Sequence, residues 1–202
     1  MKYNHSDPFE LIQILGSITP LSLPFQERLA DQIQTESHST KDLLLRPGDV
    51  ARRIYFIKEG FLRSFSIDEQ GKECTSWFMG KNDLMISVYS FFTQQPAEEY
   101  IEVLENCVLQ SLTWGQLQSY YADFNEGNLI GRILTEKYYI LSEERSIFIR
   151  TKTPEERYKI FREKYGQIEQ LTTQSNIASY LGITRETLSR IRSRLARLNF
   201  AS

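Results

Sequence analysis

The sequence predicts an α+β protein with three parts: an N-terminal antiparallel β-roll of jelly-roll topology, a long helix, and a small all-α helix-turn-helix domain. Three observations lead to this prediction. Short runs of Val, Ile, Phe and Tyr between positions 43 and 112 are separated by turn residues. Apolar pairs then recur seven positions apart, which is typical of a helix. Finally, helix-capping residues and an arginine-rich face lie close to the C-terminus.

Residues 1–125 are predicted to hold two short helices followed by the β-roll. Asp7-Pro8 and Ser22-Leu23-Pro24 are typical helix starts, because a small polar residue can cap the helix and proline suits its first turn. Further along, Asp68-Glu69-Gln70-Gly71 predicts a tight turn between two strands of alternating side chains. This part of the chain is therefore expected to be the sensor-like domain.

Residues 126–151 are predicted to form the long helix and a hinge. Their apolar stripe is two residues wide, so one side can face the β-roll and the other a second copy of the chain. A helix packed wholly within one subunit is the alternative that this pattern leaves open. The residues assigned to dimerisation are Ile130, Ile133, Leu134, Ile140, Leu141 and Ile147.

Residues 152–202 are predicted to be the helix-turn-helix domain. Thr153-Pro154-Glu155-Glu156 has the pattern of a capping box at its first helix. Further along, Thr173 can cap a helix, Gly182 permits the left-handed backbone of a tight turn, and Thr184 can cap a second helix. Apolar residues at spacings of three and four face inward in both helices: Ile177, Ala178, Leu181, Leu188, Ile191 and Leu195.

The polar face of the second helix has the chemistry of a major-groove contact. Arginine can donate two hydrogen bonds to guanine, and glutamate can accept one from cytosine, so Arg185 and Glu186 at the helix entry are expected to contact base edges. An ordinary solvated arginine face is the alternative. The predicted DNA-binding residues are Arg185, Glu186, Ser189, Arg190, Arg192, Thr173, Gln174 and Thr184, with Arg194 and Arg197 as further phosphate contacts.

Composition excludes several other classes of function. The chain has 202 residues and a net charge of −2, but positions from 150 onward carry eleven basic and five acidic residues. That end is therefore the part suited to a polyanion. Cys74 and Cys107 show no CxxC spacing and His5 and His38 are the only histidines, so no zinc site is expected. Two cysteines are too few for a four-thiolate cluster, and no metal or cofactor is therefore expected. No apolar run is long enough for a membrane span or a signal peptide, and we expect a cytoplasmic protein with no membrane partner.

Taken together, these residues resemble the CRP/FNR family of transcription regulators over nearly the whole chain. Arg46-Pro47-Gly48-Asp49, the stretch at 54–60 with Arg63, and Gly71-Lys72-Glu73 are similar to the family's cyclic-nucleotide-binding β-roll. The stretch at 184–190 is similar to its recognition helix, in which the residues matching Arg185, Glu186 and Arg190 contact bases. The resemblance implies a homodimer, a two-fold-symmetric operator on double-stranded DNA and RNA polymerase as a partner.

The sequence departs from the family pattern at the ligand. Family members that bind nucleotides hold the cyclic phosphate with an arginine in a phosphate-binding cassette, but the corresponding residues 82–106 contain no Lys or Arg. They contain several carboxylates instead, which would repel a phosphate. We therefore expect that cyclic AMP does not bind in the usual way. A regulator gated by cyclic AMP or cyclic GMP is the alternative.

Two further expectations concern the effector and the C-terminus. Aromatic and polar residues near the cassette are candidates to line a pocket for an unknown small-molecule effector, or else are core: Trp77, Ser87, Tyr89, Phe92 and Tyr100. Family members usually continue into a β-hairpin wing, whereas Asn199-Phe200-Ala201-Ser202 follows the second helix here, so no wing is expected.

The predicted function is therefore sequence-specific DNA binding by a dimeric CRP/FNR-type regulator. A jelly-roll enzyme is a rival class, but the sequence suggests no catalytic triad, Cys–His pair or Gly-rich phosphate loop, and we expect no enzyme. A protein-interaction adaptor that uses its helical domain as a docking surface is the other rival. Substitution of Arg185 and Glu186 distinguishes a DNA-binding protein from an adaptor.

Overall fold

The computed structural model describes residues 9–199, and their arrangement confirms the α+β prediction. The helices are α1 (Phe9–Ile18), α2 (Leu23–Gln32), α3 (Val88–Thr93), α4 (Trp114–Asp123), α5 (Asn125–Thr151), α6 (Pro154–Tyr165), α7 (Ile168–Leu171), α8 (Gln174–Tyr180) and α9 (Arg185–Asn199). The strands are β1 (Gln34–His38), β2 (Leu43–Leu45), β3 (Arg53–Ile67), β4 (Glu73–Met79), β5 (Leu84–Met85) and β6 (Tyr100–Thr113).

The strands form one sheet in which β6 and β3 are the central members. The order is β1-β6-β3-β4, while β2 pairs with β6 and β5 pairs with β3. Gly60 sits where β3 passes β6 and has a φ of 90°, and a Cβ there would lie 2.6 Å from the carbonyl oxygen of Asn106. Only glycine meets both conditions, because other residues disfavour this backbone and could not fit beside the neighbouring strand.

The chain divides into two compact units. The first contains the residues up to Leu62 together with Met79–Ile140. The second contains Arg63–Phe78 together with the residues from Leu141 onward, so the tip of the β3–β4 hairpin belongs with the C-terminal helices. Three elements, β3, β4 and α5, pass from one unit into the other.

Helices cover one side of the core in the first unit. Ser22 caps α2 by accepting a hydrogen bond from the Phe25 backbone N–H, as its sequence predicts. The expected start of α1 at Asp7-Pro8 lies outside the described residues, as does His5. Ile130 of α5 is buried in this core, where the cluster consists of Leu11, Phe25, Leu29, Ile33, Phe56, Tyr120 and Ile130.

The α5 helix is long, as the sequence predicts, and its apolar residues differ in exposure. Ile130 is buried and Leu134 packs against the core cluster of the first unit. By contrast, Ile140 is 56% exposed and Ile147 is 55% exposed. These two side chains lie seven positions apart and so share one face of the helix. That face remains available to a partner.

Candidate nucleic-acid interface

The helix-turn-helix is built from α8, a tight turn and α9. Thr173 caps α8 by accepting from the Asn176 N–H at 3.2 Å, and Thr184 caps α9 by accepting from the Thr187 N–H at 3.2 Å. Gly182 in the turn has a φ of 63°. The turn closes with a hydrogen bond from the Ile183 N–H to the Ala178 carbonyl at 3.0 Å. These local predictions from the sequence are confirmed.

The two helices pack through the apolar residues that their spacing predicted. Ile177, Leu181 and Leu188 are fully buried, and Ala178 and Ile191 are nearly so. Burial of each large apolar side chain contributes roughly 1.5–3 kcal/mol to the free energy of unfolding. The apolar face of α9 therefore fixes how this helix packs against α8, and its opposite face is left exposed to solvent.

Two arginines, the buried Arg157 and the partly buried Arg145, hold the C-terminal end of α8. Arg157 of α6 donates to the Leu181 carbonyl at 2.5 Å, and Arg145 of α5 donates to the Tyr180 carbonyl. The Arg145 guanidinium also lies 3.9 Å from the centre of the Tyr180 ring. A cation at a helix C-terminus interacts favourably with the helix dipole and with its free carbonyls. No local sequence pattern indicates these contacts, because the partners lie 24 and 35 positions apart.

The β3–β4 hairpin packs against the same helix. The Ser179 hydroxyl accepts from the Thr75 N–H at 2.8 Å and donates to the Glu73 carbonyl at 2.7 Å. Phe78 of β4 is fully buried, with its ring centre 5.1 Å from that of Tyr180 and 6.2 Å from that of Phe161. The hairpin therefore contributes to the core that supports α8.

The exposed face of α9 brings most of the predicted base-contacting residues together. Arg185, Glu186, Ser189 and Arg190 are all exposed, and they fall on adjacent turns of one helix. Thr184 at the start of α9, and Thr173 and Gln174 at the start of α8, are exposed as well. These three lie at helix N-termini, where backbone N–H groups favour phosphate oxygens.

Glu186 is held as a carboxylate. Its own backbone N–H and the Thr184 side chain, followed by the charges of Arg185 and Arg190, lower the pKa of this exposed group. At neutral pH the side chain is therefore an acceptor only, as a hydrogen bond from a cytosine amino group requires.

Two other arginines of α9 are engaged within the subunit. Arg192 lies 4.0 Å from a carboxylate oxygen of Glu169, and Arg194 forms an ion pair with Glu155. Both acidic partners belong to preceding helices. Arg197 in the last turn is exposed.

The predicted effector residues do not converge on one pocket in the first unit. Tyr89 and Phe92 of α3 are 63% and 46% exposed. Ser87 is buried at the N-terminus of α3, and Tyr100 is partly buried at the start of β6. Trp77 is partly buried on β4, which belongs to the second unit.

A groove of about 490 Å³ lies elsewhere in the first unit. Its walls come from β2, the following loop, the start of β3 and β6, and it is lined by Leu44, Leu45, Gly48, Asp49, Val50, Ala51, Arg52, Arg53, Tyr55 and Ile101. This groove was not among the predicted sites, because the effector pocket was expected near the cassette-equivalent stretch. Adjacent Arg52 and Arg53, together with Gly48 and Asp49, were the signals in the sequence that could have indicated it.

Comparison with known proteins finds relatives of both the β-roll and the whole chain. Residues 35–124 match the family model of the cyclic nucleotide-binding domain. The chain is 26% identical to an anaerobic regulatory protein of Haemophilus influenzae, and the match covers 92% of this chain and 79% of that protein. It is 24% identical to the fumarate and nitrate reduction regulatory protein of Yersinia pestis, with coverages of 92% and 81%.

Solved structures show the same fold. FixK2 from Bradyrhizobium japonicum superposes with a TM-score of 0.71 at 17% identity, covering 83% of this chain and 86% of that one. A regulator of the CRP/FNR family from Eubacterium rectale superposes with a TM-score of 0.69 at 18% identity, with coverages of 87% and 85%. The chain is thus similar to regulators of the CRP/FNR type in sequence and in fold, and the resemblance seen in its sequence is confirmed. Among the described residues, no helix is long and apolar enough to cross a membrane.

Proposed function

We propose that the protein is a cytoplasmic, homodimeric transcription regulator that binds a two-fold-symmetric operator through α9. One observation carries this proposal: Arg185, Glu186, Ser189 and Arg190 are exposed on one face of α9, while Leu188 and Ile191 bury the other face. A helix anchored in this way can present bidentate donors and a carboxylate to the base edges of a major groove.

The proposed division of roles follows from position. Arg185, Glu186, Ser189 and Arg190 contact bases, whereas Thr173, Gln174 and Thr184 contact phosphates from helix N-termini. Arg192 contributes through its charge, since its side chain also approaches Glu169. RNA polymerase is the partner through which a DNA-bound regulator of this type acts on transcription.

A DNA-selection experiment tests the proposal. The full chain is used to select sites from a random duplex library, and the affinity for the selected site and for scrambled DNA is then measured by fluorescence anisotropy. Arg185→Ala is expected to lose about 1–3 kcal/mol of discrimination, the usual value of one good base contact. Affinity for scrambled DNA is expected to change far less.

Arg46→Ala is the matched control, because Arg46 is an exposed arginine of the first unit. Its loss is expected to leave discrimination unchanged. Failure to select any site, or equal discrimination by the Arg185→Ala variant and the parent, would contradict DNA binding through α9. An adaptor that docks proteins would show that second result.

We further propose that cyclic AMP is not bound in the usual way. The cassette-equivalent helix α3 begins at Val88, and its N-cap residue Ser87 makes no side-chain capping hydrogen bond. Residues 82–106 offer no basic side chain to a cyclic phosphate. Calorimetric titration with cyclic AMP and then cyclic GMP is expected to give no saturable heat in the micromolar range. Saturable binding of either would instead make the protein a nucleotide-gated regulator.

A contact in the first unit offers a route from any effector to the long helix. The Tyr138 hydroxyl of α5 accepts from the Leu84 N–H at 2.6 Å, and Leu84 lies in β5, just before α3. Burial raises the pKa of Tyr138 to about 12, so the hydroxyl keeps its proton at neutral pH. An effector that displaces β5 would thereby alter α5 and shift the population between two dimer arrangements. Crosslinking that shows one arrangement under every condition would remove this part of the proposal.

A further inference from the structure

The groove bounded by β2, β3 and β6 carries more positive than negative charge. Arg52 and Arg53 line it together with one carboxylate, that of Asp49. Arg52 is exposed and forms no ion pair within the described part of the chain. Arg53 is partly buried and donates to the Ser111 hydroxyl at 3.0 Å, which is a neutral acceptor. Neither guanidinium is neutralised by a direct carboxylate contact there.

The loop that supplies the groove is held in place on several sides. The Gly48 N–H donates to the Ala97 carbonyl at 2.9 Å, and the Ala97 N–H donates to the Asp49 carbonyl at 2.8 Å. The Ala51 N–H donates to the Ser90 hydroxyl at 2.9 Å, and the Arg52 carbonyl accepts from Trp114. A loop fixed in this way loses little conformational entropy when a ligand binds, which favours affinity.

The other residues that line the groove suit the apolar part of a small molecule. Leu44, Leu45 and Ile101 form an apolar wall, and Tyr55, whose side chain carries a hydroxyl, also lines the groove. Burial and then the charge of Glu36 raise the pKa of Tyr55, while Arg53 lowers it, so this hydroxyl is a donor at neutral pH. A volume of about 490 Å³ is within the range of small-molecule sites in proteins, roughly 300–1,000 Å³.

We propose that this arginine groove binds a small organic phosphate monoester, with the phosphate between Arg52 and Arg53. The organic part lies against Leu44, Leu45 and Ile101, and Asp49 accepts from a ligand hydroxyl. A guanidinium can bind phosphate oxygens in a bidentate manner, and two of them match the double charge of a monoester. Of the named lining residues, Ile101 alone belongs to the cassette-equivalent stretch, so the groove is formed mainly by residues 44–55. The proposal does not depend on DNA binding.

Calorimetry on the 202-residue chain tests the site with three probes: adenosine 5′-monophosphate, inorganic phosphate and cyclic AMP. Adenosine monophosphate is expected to bind most tightly, because it combines a doubly charged phosphate with an apolar ring. Cyclic AMP, a singly charged diester, is expected to bind at least about tenfold more weakly. Absence of saturable heat from the monophosphate up to about 10 mM, or a preference for cyclic AMP, overturns the proposal.

Three variants locate the binding. Arg52→Gln changes an exposed side chain, so folding is expected to be preserved, and adenosine monophosphate should bind at least about tenfold more weakly. Asp49→Asn should strengthen the binding of inorganic phosphate, because it removes the groove's carboxylate.

Arg46→Gln is the control, since Arg46 is exposed nearby in sequence but does not line the groove. Equal losses in Arg52→Gln and Arg46→Gln would show nonspecific charge attraction and overturn the site. DNA discrimination by Arg185 is measured separately, so the two proposals can fail independently.

Discussion

The effect of a side chain at a glycine depends on the backbone conformation at that position, and Gly182 and Gly16 represent opposite cases. Gly182 has a positive φ of 63°, and an added Cβ would lie 3.0 Å from the Arg157 guanidinium. Gly16 lies inside the α1 helix, and an added Cβ would meet nothing within 4 Å. The same substitution should therefore change stability in opposite directions.

We expect Gly182→Ala to destabilise the protein by about 1–2 kcal/mol, the usual cost of a left-handed backbone for a residue with a Cβ. Gly16→Ala should stabilise it by about 0.5–1 kcal/mol, because alanine loses less backbone entropy in a helix. Urea denaturation of the full chain measures both differences. Destabilisation by both substitutions, or by neither, would contradict this account of the turn.

Ser179 is a second residue whose contribution to stability can be measured by itself. Its hydroxyl accepts from the Thr75 N–H and donates to the Glu73 carbonyl. Ser179→Ala removes both hydrogen bonds, and we expect a loss of about 1–2 kcal/mol in the free energy of unfolding. Ser175→Ala on the same helix is the matched control, as Ser175 is exposed. Equal unfolding midpoints for the two variants would mean that the hairpin contact contributes nothing to stability.

At the scale of single elements, helix starts could be predicted and long-range packing could not. The caps at Thr153 and Thr173 depend on residues within three positions of each other, so the local sequence contains all the information they need. The contact between Ser179 and Thr75 joins residues 104 positions apart. No periodicity within α8 or β4 encodes such a pairing, which arises only once both elements are in place.

The α5 helix shows the same limit for a site. The apolar pairs that recur every seven residues predicted a helix correctly. Ile130, however, is buried in the subunit's own core, while Ile140 and Ile147 are exposed. A repeat shows which residues share a face but not which neighbour covers it. Likewise, the exposed face of α9 was predictable from helical spacing, whereas the engagement of Arg192 and Arg194 with acidic residues of other helices was not.

The capping box of α6 gives a pH-dependent prediction at this scale. The Glu156 carboxylate accepts from the Thr153 N–H and hydroxyl, both at 2.8 Å, and these bonds lower the pKa of Glu156. A carboxyl whose pKa is lower in the folded state stabilises the fold above its unfolded pKa, and this contribution is lost as the pH falls through the folded value. The free-energy difference between the parent and Glu156→Gln should therefore shrink as the pH is lowered from 7 towards 3. Denaturant unfolding across that range measures it, and a difference independent of pH would contradict the role of the charge.

At the scale of the whole molecule, the two ends of the chain carry opposite charge. Positions from 150 onward have a balance of +6 and positions 1–149 a balance of −8. This asymmetry directs a polyanion toward the helix-turn-helix and away from the β-roll. Association with DNA should accordingly weaken as salt increases, since each phosphate contact releases counterions.

In the proposed two-fold-symmetric dimer, dimerisation is the property most sensitive to a small change on α5. Ile140 and Ile147 are each more than half exposed, so Ile140→Glu and Ile147→Glu should leave the folded subunit intact. In a two-fold interface each substitution occurs twice, and the burial of one isoleucine contributes roughly 1.5–3 kcal/mol. We therefore expect the double variant to weaken dimerisation by at least about 100-fold, because each 1.4 kcal/mol corresponds to a factor of ten.

Sedimentation equilibrium of the parent and the variant measures this dimerisation constant, and Leu23→Glu is the matched control. Leu23 is 66% exposed at the start of α2, so its replacement adds the same charge to an exposed apolar site on another helix. A dimer weakened only by the α5 substitutions would assign the interface to this face. Operator affinity should then fall at protein concentrations below the new dissociation constant, while affinity for a half-site is retained, because the two recognition helices are no longer linked. A monomeric parent, or a double variant that dimerises as tightly as the parent, would show that the exposed isoleucines of α5 do not form the interface.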